Sequence, residues 1–123
     1  SLEGKYFLAI KSKNFVKGDI VVTQLQDNKY YGNAKFLKII QGVGGDLITK
    51  QDNNLFINNK FIAAAKDITP LGTSLNSLKL LSNKVPNNHF FLTTNHPDSY
   101  DSRYDSFGFI PAHRIVAKAY RIY

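Results

Sequence analysis

The run "KFLKIIQGV" (35–43) constrains this chain more than any other stretch. Successive side chains of a strand point to opposite faces. Phe36, Lys38 and Ile40 therefore share one face, and Leu37 and Ile39 share the other. Both faces are apolar, so the strand is expected to be buried on both sides. Lys38 then has two options. Its stem can snorkel the amine to water at a strand edge, or the amine can lie inside. An unperturbed lysine has a pKa near ~10.4, and burial lowers that value by up to ~3–5 units. A neutral amine can take the proton of a hydroxyl and make a serine nucleophilic. Lys38 is thus a candidate base, provided that a serine and supporting groups lie close to it.

The rest of the chain alternates short β-type runs with turn residues. "KYFLAIK" (5–11), "IVVTQL" (20–25), "LITKQ" (47–51), "NLFIN" (54–58), "KFIAAA" (60–65), "HFFLTTN" (89–95) and "RIVAKAYRIY" (114–123) read as strands. "KGD" and "DNKYYGN" break the chain, and "DN" and "NN" read as hairpin turns. The one helix candidate, "TSLNSLKLLSN" (73–83), is short and weakly amphipathic, and "KDITPLGTSLNS" reads as an irregular connection. The expected fold class is mainly β, antiparallel sheets with little helix, in a single domain spanning residues 1–123.

Composition narrows the function. With 43% hydrophobic residues the chain can build a core, and without cysteine it has neither disulfides nor thiolate metal sites. Sixteen Lys+Arg against nine Asp+Glu give +7. That balance favours contact with nucleic acid or an anionic membrane surface. The basic residues are scattered, however, so no specific nucleic-acid partner is expected. No apolar run approaches the ~18 residues that span a bilayer. The sequence opens at "SLEGKYFLAI" without an initiator methionine, and an anchor or targeting segment is expected upstream.

"TTNHPDSYDSRYDSFGFIP" (93–111) holds three Asp-Ser pairs and an arginine. One reading is a polar loop whose side chains satisfy backbone groups, with Asp101 and Arg103 paired to fix it. His96, Asp98 and Asp101 lack an established ligand spacing, so no metal or other cofactor is expected. His89 and His113 read as ordinary loop or strand-end residues. "GVGGD" is no phosphate loop, because no GK[ST] follows it; its glycines suit a tight turn.

Taken in order, "SLEGKYF", "KFLKIIQGVGGD" and "SYDSRYDSFGFIP" resemble the sequence boxes of type I signal peptidases. The resemblance is closest to the conjugative-transfer, TraF-type branch, which processes pilin precursors. Lys38 stands eight positions before Asp46, as the family's lysine stands before its Gly-Asp. "VPNNHFFLTTNHPDSYDSRY" (85–104) is similar to the family's last box, and the likeness covers nearly the whole chain. Two positions depart from the pattern: Glu3 stands where a proline is usual, and Thr94–His96 replace a Gly-Asp-Asn.

The resemblance implies roles. Ser1 would be the nucleophile and Lys38 the general base. Ser99 would hydrogen-bond and orient the amine, and Asp101 and Arg103 would hold that loop against the site. Gly42, Gly45 and Asp46 would shape the turn after the lysine strand. It also implies a signal-peptidase-like, LexA-related β fold and a serine endopeptidase that cuts exported precursors or pilins after small residues. The catalytic domain would sit on the periplasmic side of the bacterial inner membrane, held by an N-terminal anchor. Alternatives are a LexA-type self-cleaving domain, an N-terminal-nucleophile hydrolase using the Ser1 amine, and an inactive β-rich scaffold or binding domain.

Overall fold

A computed structural model describes residues 6–66 and 74–122. Among the described residues nine strands follow in chain order: β1 (Tyr6–Ile10), β2 (Ile20–Gln24), β3 (Lys35–Val43), β4 (Ile48–Gln51), β5 (Asn54–Ile57), β6 (Lys60–Ala64), β7 (His89–Thr93), β8 (Ile110–Pro111) and β9 (Ile115–Ile122). They form a six-stranded sheet in the order β1-β9-β2-β3-β7-β8 and a three-stranded sheet β4-β5-β6. Every pairing between strands is antiparallel. Among the described residues the only helical element is a 3-10 turn at Ala112–Arg114. The mainly β, antiparallel class expected from the sequence holds. The tight connections have the chemistry they need. Asn58 and Asn59, which join β5 to β6, sit at φ 50° and 66°, and Asp52 before β5 sits at 55°. Asparagine and aspartate tolerate that left-handed region better than other side chains.

Two expectations fail. The helix proposed for 73–83 does not form over its described part, 74–83. Ser77 instead bridges Tyr104, and Leu78 donates its N–H to the Arg103 carbonyl at 2.9 Å. Serine and asparagine offer the backbone alternatives to the helix, and an extended path lets Leu78 enter the core. The second failure concerns β3. Its Lys38 face is buried, but Leu37 and Ile39 are only half-buried. The strand covered on both sides is β7. Phe90 and Leu92 enter one core with Val21, Ile40 and Ile110, and Phe91 enters a second with Ile48, Leu55, Ile57 and Val85. The small sheet packs Ile57 against β3 at Gly42, while Leu37 and Ile39 on the strand's second face stay partly covered.

Gly42 makes that approach possible. A Cβ there would lie 2.7 Å from Ile57 Cδ1 and 3.2 Å from Phe91 Cβ. Beyond it the chain turns back through Gly45, whose φ of 91° suits a residue without a side chain. Asp46 closes the turn. Its carboxylate accepts the Val43 N–H at 2.9 Å and the Asn58 amide at 3.2 Å, and it pairs with Lys17 at 2.9 Å. Desolvation pushes the Asp46 carboxyl up, but these partners outweigh it and hold the pKa below the usual aspartate value.

A second buttress is buried completely. Arg103 grips both carboxylate oxygens of Asp101, at 2.8 and 2.9 Å. The remaining guanidinium hydrogens go to the carbonyls of Ala64, His96 and Pro97. One side chain thereby ties β6 to the loop that follows β7.

Two outcomes follow for urea denaturation. Gly42→Ala forces Ile57 and Phe91 apart and is expected to destabilise the fold by about 1–3 kcal/mol, the usual range for overpacking. Asp101→Asn leaves a buried guanidinium without its counter-charge and is expected to cost about 3–5 kcal/mol.

Candidate active site

Lys38 occupies the middle of β3, opposite Val21 of β2, and its side chain is only 1% exposed. The snorkelling alternative is therefore excluded for this lysine. Its amine donates to Ser99 Oγ at 2.9 Å and to the Tyr100 carbonyl at 2.7 Å. The Phe36 and Phe107 rings lie 5.3 and 5.7 Å from the nitrogen. Tyr100 stacks on Tyr104 at 6.1 Å and meets Phe107 edge-on at 5.4 Å, so the amine sits against a wall of aromatic rings.

The electrostatics follow from that enclosure. Loss of water is the dominant influence and disfavours the ammonium form. The Asp101 carboxylate opposes it and the Arg103 guanidinium reinforces it. The outcome is a pKa lowered from 10.5 to about 8. At neutral pH a usable fraction of the amine is unprotonated. A neutral amine has two N–H bonds and one lone pair. With Ser99 Oγ and the Tyr100 carbonyl taking the hydrogens, the lone pair is left to accept a proton from a third partner.

The groups that hold the amine are themselves fixed. Ser99 is buried, and its N–H reaches the His96 carbonyl at 3.2 Å. Three residues on, the Ser102 hydroxyl accepts the Leu92 N–H at 2.9 Å and donates to the Gly108 carbonyl at 2.7 Å. Asp101 and Arg103, in the same loop, form the buried pair described above. The fold thus brings Lys38, Ser99, Asp101 and Arg103 together. Gly45 and Asp46 lie in the turn after β3, and Gly42 lies inside the strand before it. Ser1 lies outside the described residues.

Of the weak metal candidates, Asp101 faces Arg103 and Asp98 pairs with Lys66, while His96 Nδ1 accepts the Asp98 N–H at 3.0 Å. Each is engaged by protein groups, and none is arranged around a common point. Sequence reasoning missed the Tyr100 carbonyl, because a backbone acceptor leaves no residue-type signal. It also passed over Asn28, in a segment read only as a break. Asn28 Nδ2 donates to the Tyr100 hydroxyl at 2.9 Å.

A search of curated proteins found no match. Among solved structures, a signal peptidase I from Enterococcus faecalis superposes with a TM-score of 0.55. The match covers 85% of this chain and 96% of that one, at 21% sequence identity, which is a likeness of fold. The family model described as signal peptidase, peptidase S26, matches residues 1–123. The chain therefore belongs to the signal peptidase family, peptidase S26, a family of serine endopeptidases.

Proposed function

We propose that this protein is a Ser/Lys-dyad endopeptidase that cuts exported precursor proteins after small residues, with Ser1 as nucleophile and Lys38 as general base. The observation that carries this reading is the Lys38 amine, buried and held by two acceptors with its pKa lowered to about 8. In the reaction the neutral amine takes the Ser1 hydroxyl proton as the oxygen attacks the scissile carbonyl. The resulting ammonium returns that proton to the leaving amine as the tetrahedral intermediate collapses to an acyl-enzyme. The amine, neutral again, then takes a proton from water as the water oxygen attacks the ester. When the new tetrahedral intermediate collapses, the ammonium returns that proton to the departing Ser1 oxygen, freeing the acid and restoring the neutral amine. Ser99 and the Tyr100 carbonyl keep the nitrogen in place through both halves.

The finer assignments come from the family likeness. The substrate would be an exported precursor bound as an extended strand, with main-chain hydrogen bonds supplying affinity. The sequence boxes favour the TraF-type branch and hence a pilin precursor. An upstream anchor would place the catalytic domain at the outer face of the bacterial inner membrane. The excess of basic residues suits an anionic lipid surface beside it.

Two measurements test this reading. In the full-length protein, Ser1→Ala and Lys38→Ala are each expected to abolish precursor cleavage. Lys38→Arg should not restore it, because a guanidinium does not give up its proton. Normal processing by Lys38→Ala would rule out the Ser1/Lys38 dyad and require another base, whereas no cleavage by the parent protein would establish the inactive-scaffold alternative. The pH profile of kcat/KM supplies the second test. Only the neutral amine is active, so the rate should climb with pH and level off above an inflection at about 8. A profile flat from pH 6 to 9 would contradict a lysine base.

A further inference from the structure

The segment "QDNKYYGN" (26–33) is held by the side chain of one residue. Asn28 fills all its side-chain hydrogen-bonding positions. Oδ1 accepts the N–H groups of Tyr30 and Tyr31 at 2.8 and 3.0 Å. Nδ2 donates to the Tyr100 hydroxyl at 2.9 Å and to the Ser106 carbonyl at 3.2 Å. Its backbone exchanges both hydrogen bonds with Gly32, each at 2.9 Å. The Tyr100 hydroxyl also hydrogen-bonds Ser106 Oγ, 2.7 Å away, and either oxygen can be the donor.

This network lies directly behind the amine. Tyr31, positioned by Asn28 Oδ1, packs against Phe36 and against Tyr100, both at 5.2 Å. Phe36 is one of the two rings over the Lys38 nitrogen. Tyr100 supplies the carbonyl that receives the amine's shorter hydrogen bond. Tyr30 and Tyr31 are 40% and 45% exposed, so the loop forms the outer skin of this aromatic wall.

We propose that Asn28 is a positioning residue for the Lys38 base: it bolts the tyrosine loop onto Tyr100, which keeps water from the amine and holds the Ser99–Tyr100 backbone in register with it. The proposal rests on the reading of Lys38 as a general base. Among the described residues, the charged groups acting on Lys38 are Asp101 and Arg103. The other acidic and basic side chains on the tyrosine loop, on the loop that follows β7 and at the start of β3, namely Asp27, Lys29, Lys35, His96, Asp98 and Asp105, are exposed. The remaining titratable groups there are the tyrosines of the wall itself, Tyr30, Tyr31, Tyr100 and Tyr104. Removing the Asn28 amide touches none of these charges. A change in Lys38 titration would therefore report solvent access to the amine and the placement of its acceptors.

The test uses Asn28→Ala and Tyr100→Phe in the full-length protein. The Lys38 midpoint is followed by NMR of isotope-labelled lysine, alongside kcat/KM for a precursor peptide across pH. Asn28→Ala should raise the midpoint by about one unit, as water returns to the amine. That lowers kcat/KM about tenfold at pH 7 and leaves the high-pH plateau within about twofold of the parent protein. Tyr100→Phe keeps the ring and the carbonyl but loses the bolt, and should give a smaller shift of the same sign. An equal loss of rate at every pH with an unmoved midpoint would show a merely structural role and overturn the proposal. So would unchanged behaviour. Should Asn28→Ala fail to fold, an unmoved midpoint in Tyr100→Phe overturns it alone. A parent-protein midpoint near ~10.4 would instead defeat the general-base reading itself, and this inference with it.

Discussion

The amine of Lys38 has exchanged bulk water for one hydroxyl, one carbonyl and the faces of two aromatic rings. Moving its pKa from 10.5 to about 8 corresponds to a preference for the neutral form of about 3 kcal/mol. The same quantity enters the stability of the fold. Below pH 8 the amine is charged in both folded and unfolded chains, and the folded chain bears the whole penalty. As pH rises through 8 towards 10.5 the folded amine is already neutral while the unfolded one still holds its proton, and the penalty fades. Lys38 thus favours folding more on the alkaline side, in the range where the proposed base is also most available.

Holding one amine in this state requires the strands beneath it to be fixed. β7 does much of this by serving two cores at once, with Phe90 and Leu92 on one side and Phe91 on the other. The small sheet docks on the second side through Gly42, where any larger residue would intrude on Ile57. Asp101 and Arg103 then connect that sheet to the loop carrying Ser99. A buried pair of this kind is weak evidence for stability in itself, since desolvation offsets its attraction. Its use here is geometric: four carbonyl and carboxylate partners fix the direction of the backbone that presents Ser99 and Tyr100.

The parts of this arrangement differ in how plainly the sequence displays them. Alternating apolar runs and paired asparagines disclosed the strands and hairpins, because period-2 burial and positive φ are local demands. The lysine stood out for a local reason too, a cation among Phe36, Leu37, Ile39 and Ile40. Which strand would be covered on both faces was not local. It depended on where the second sheet docks, and "HFFLT" won over "KFLKIIQGV". The run 74–83 misled because its leucines suggest a helix, whereas Leu78 is captured by the Arg103 carbonyl and the core. Asn28 looked like one more turn residue, since nothing near it in sequence shows what its amide will meet.

Those separations have a consequence. Ser99 lies 61 positions from Lys38, and Tyr100 lies 72 from Asn28. Neither contact exists in a chain whose sheets have not yet paired, and contacts of such separation carry a loop-closure cost before they reward it. Until then Lys38 is an ordinary solvated lysine, protonated and inert as a base. The chain thus carries a built-in safety catch: before the sheets pair, the amine has none of the enclosure that lowers its pKa, and completion of the fold supplies it.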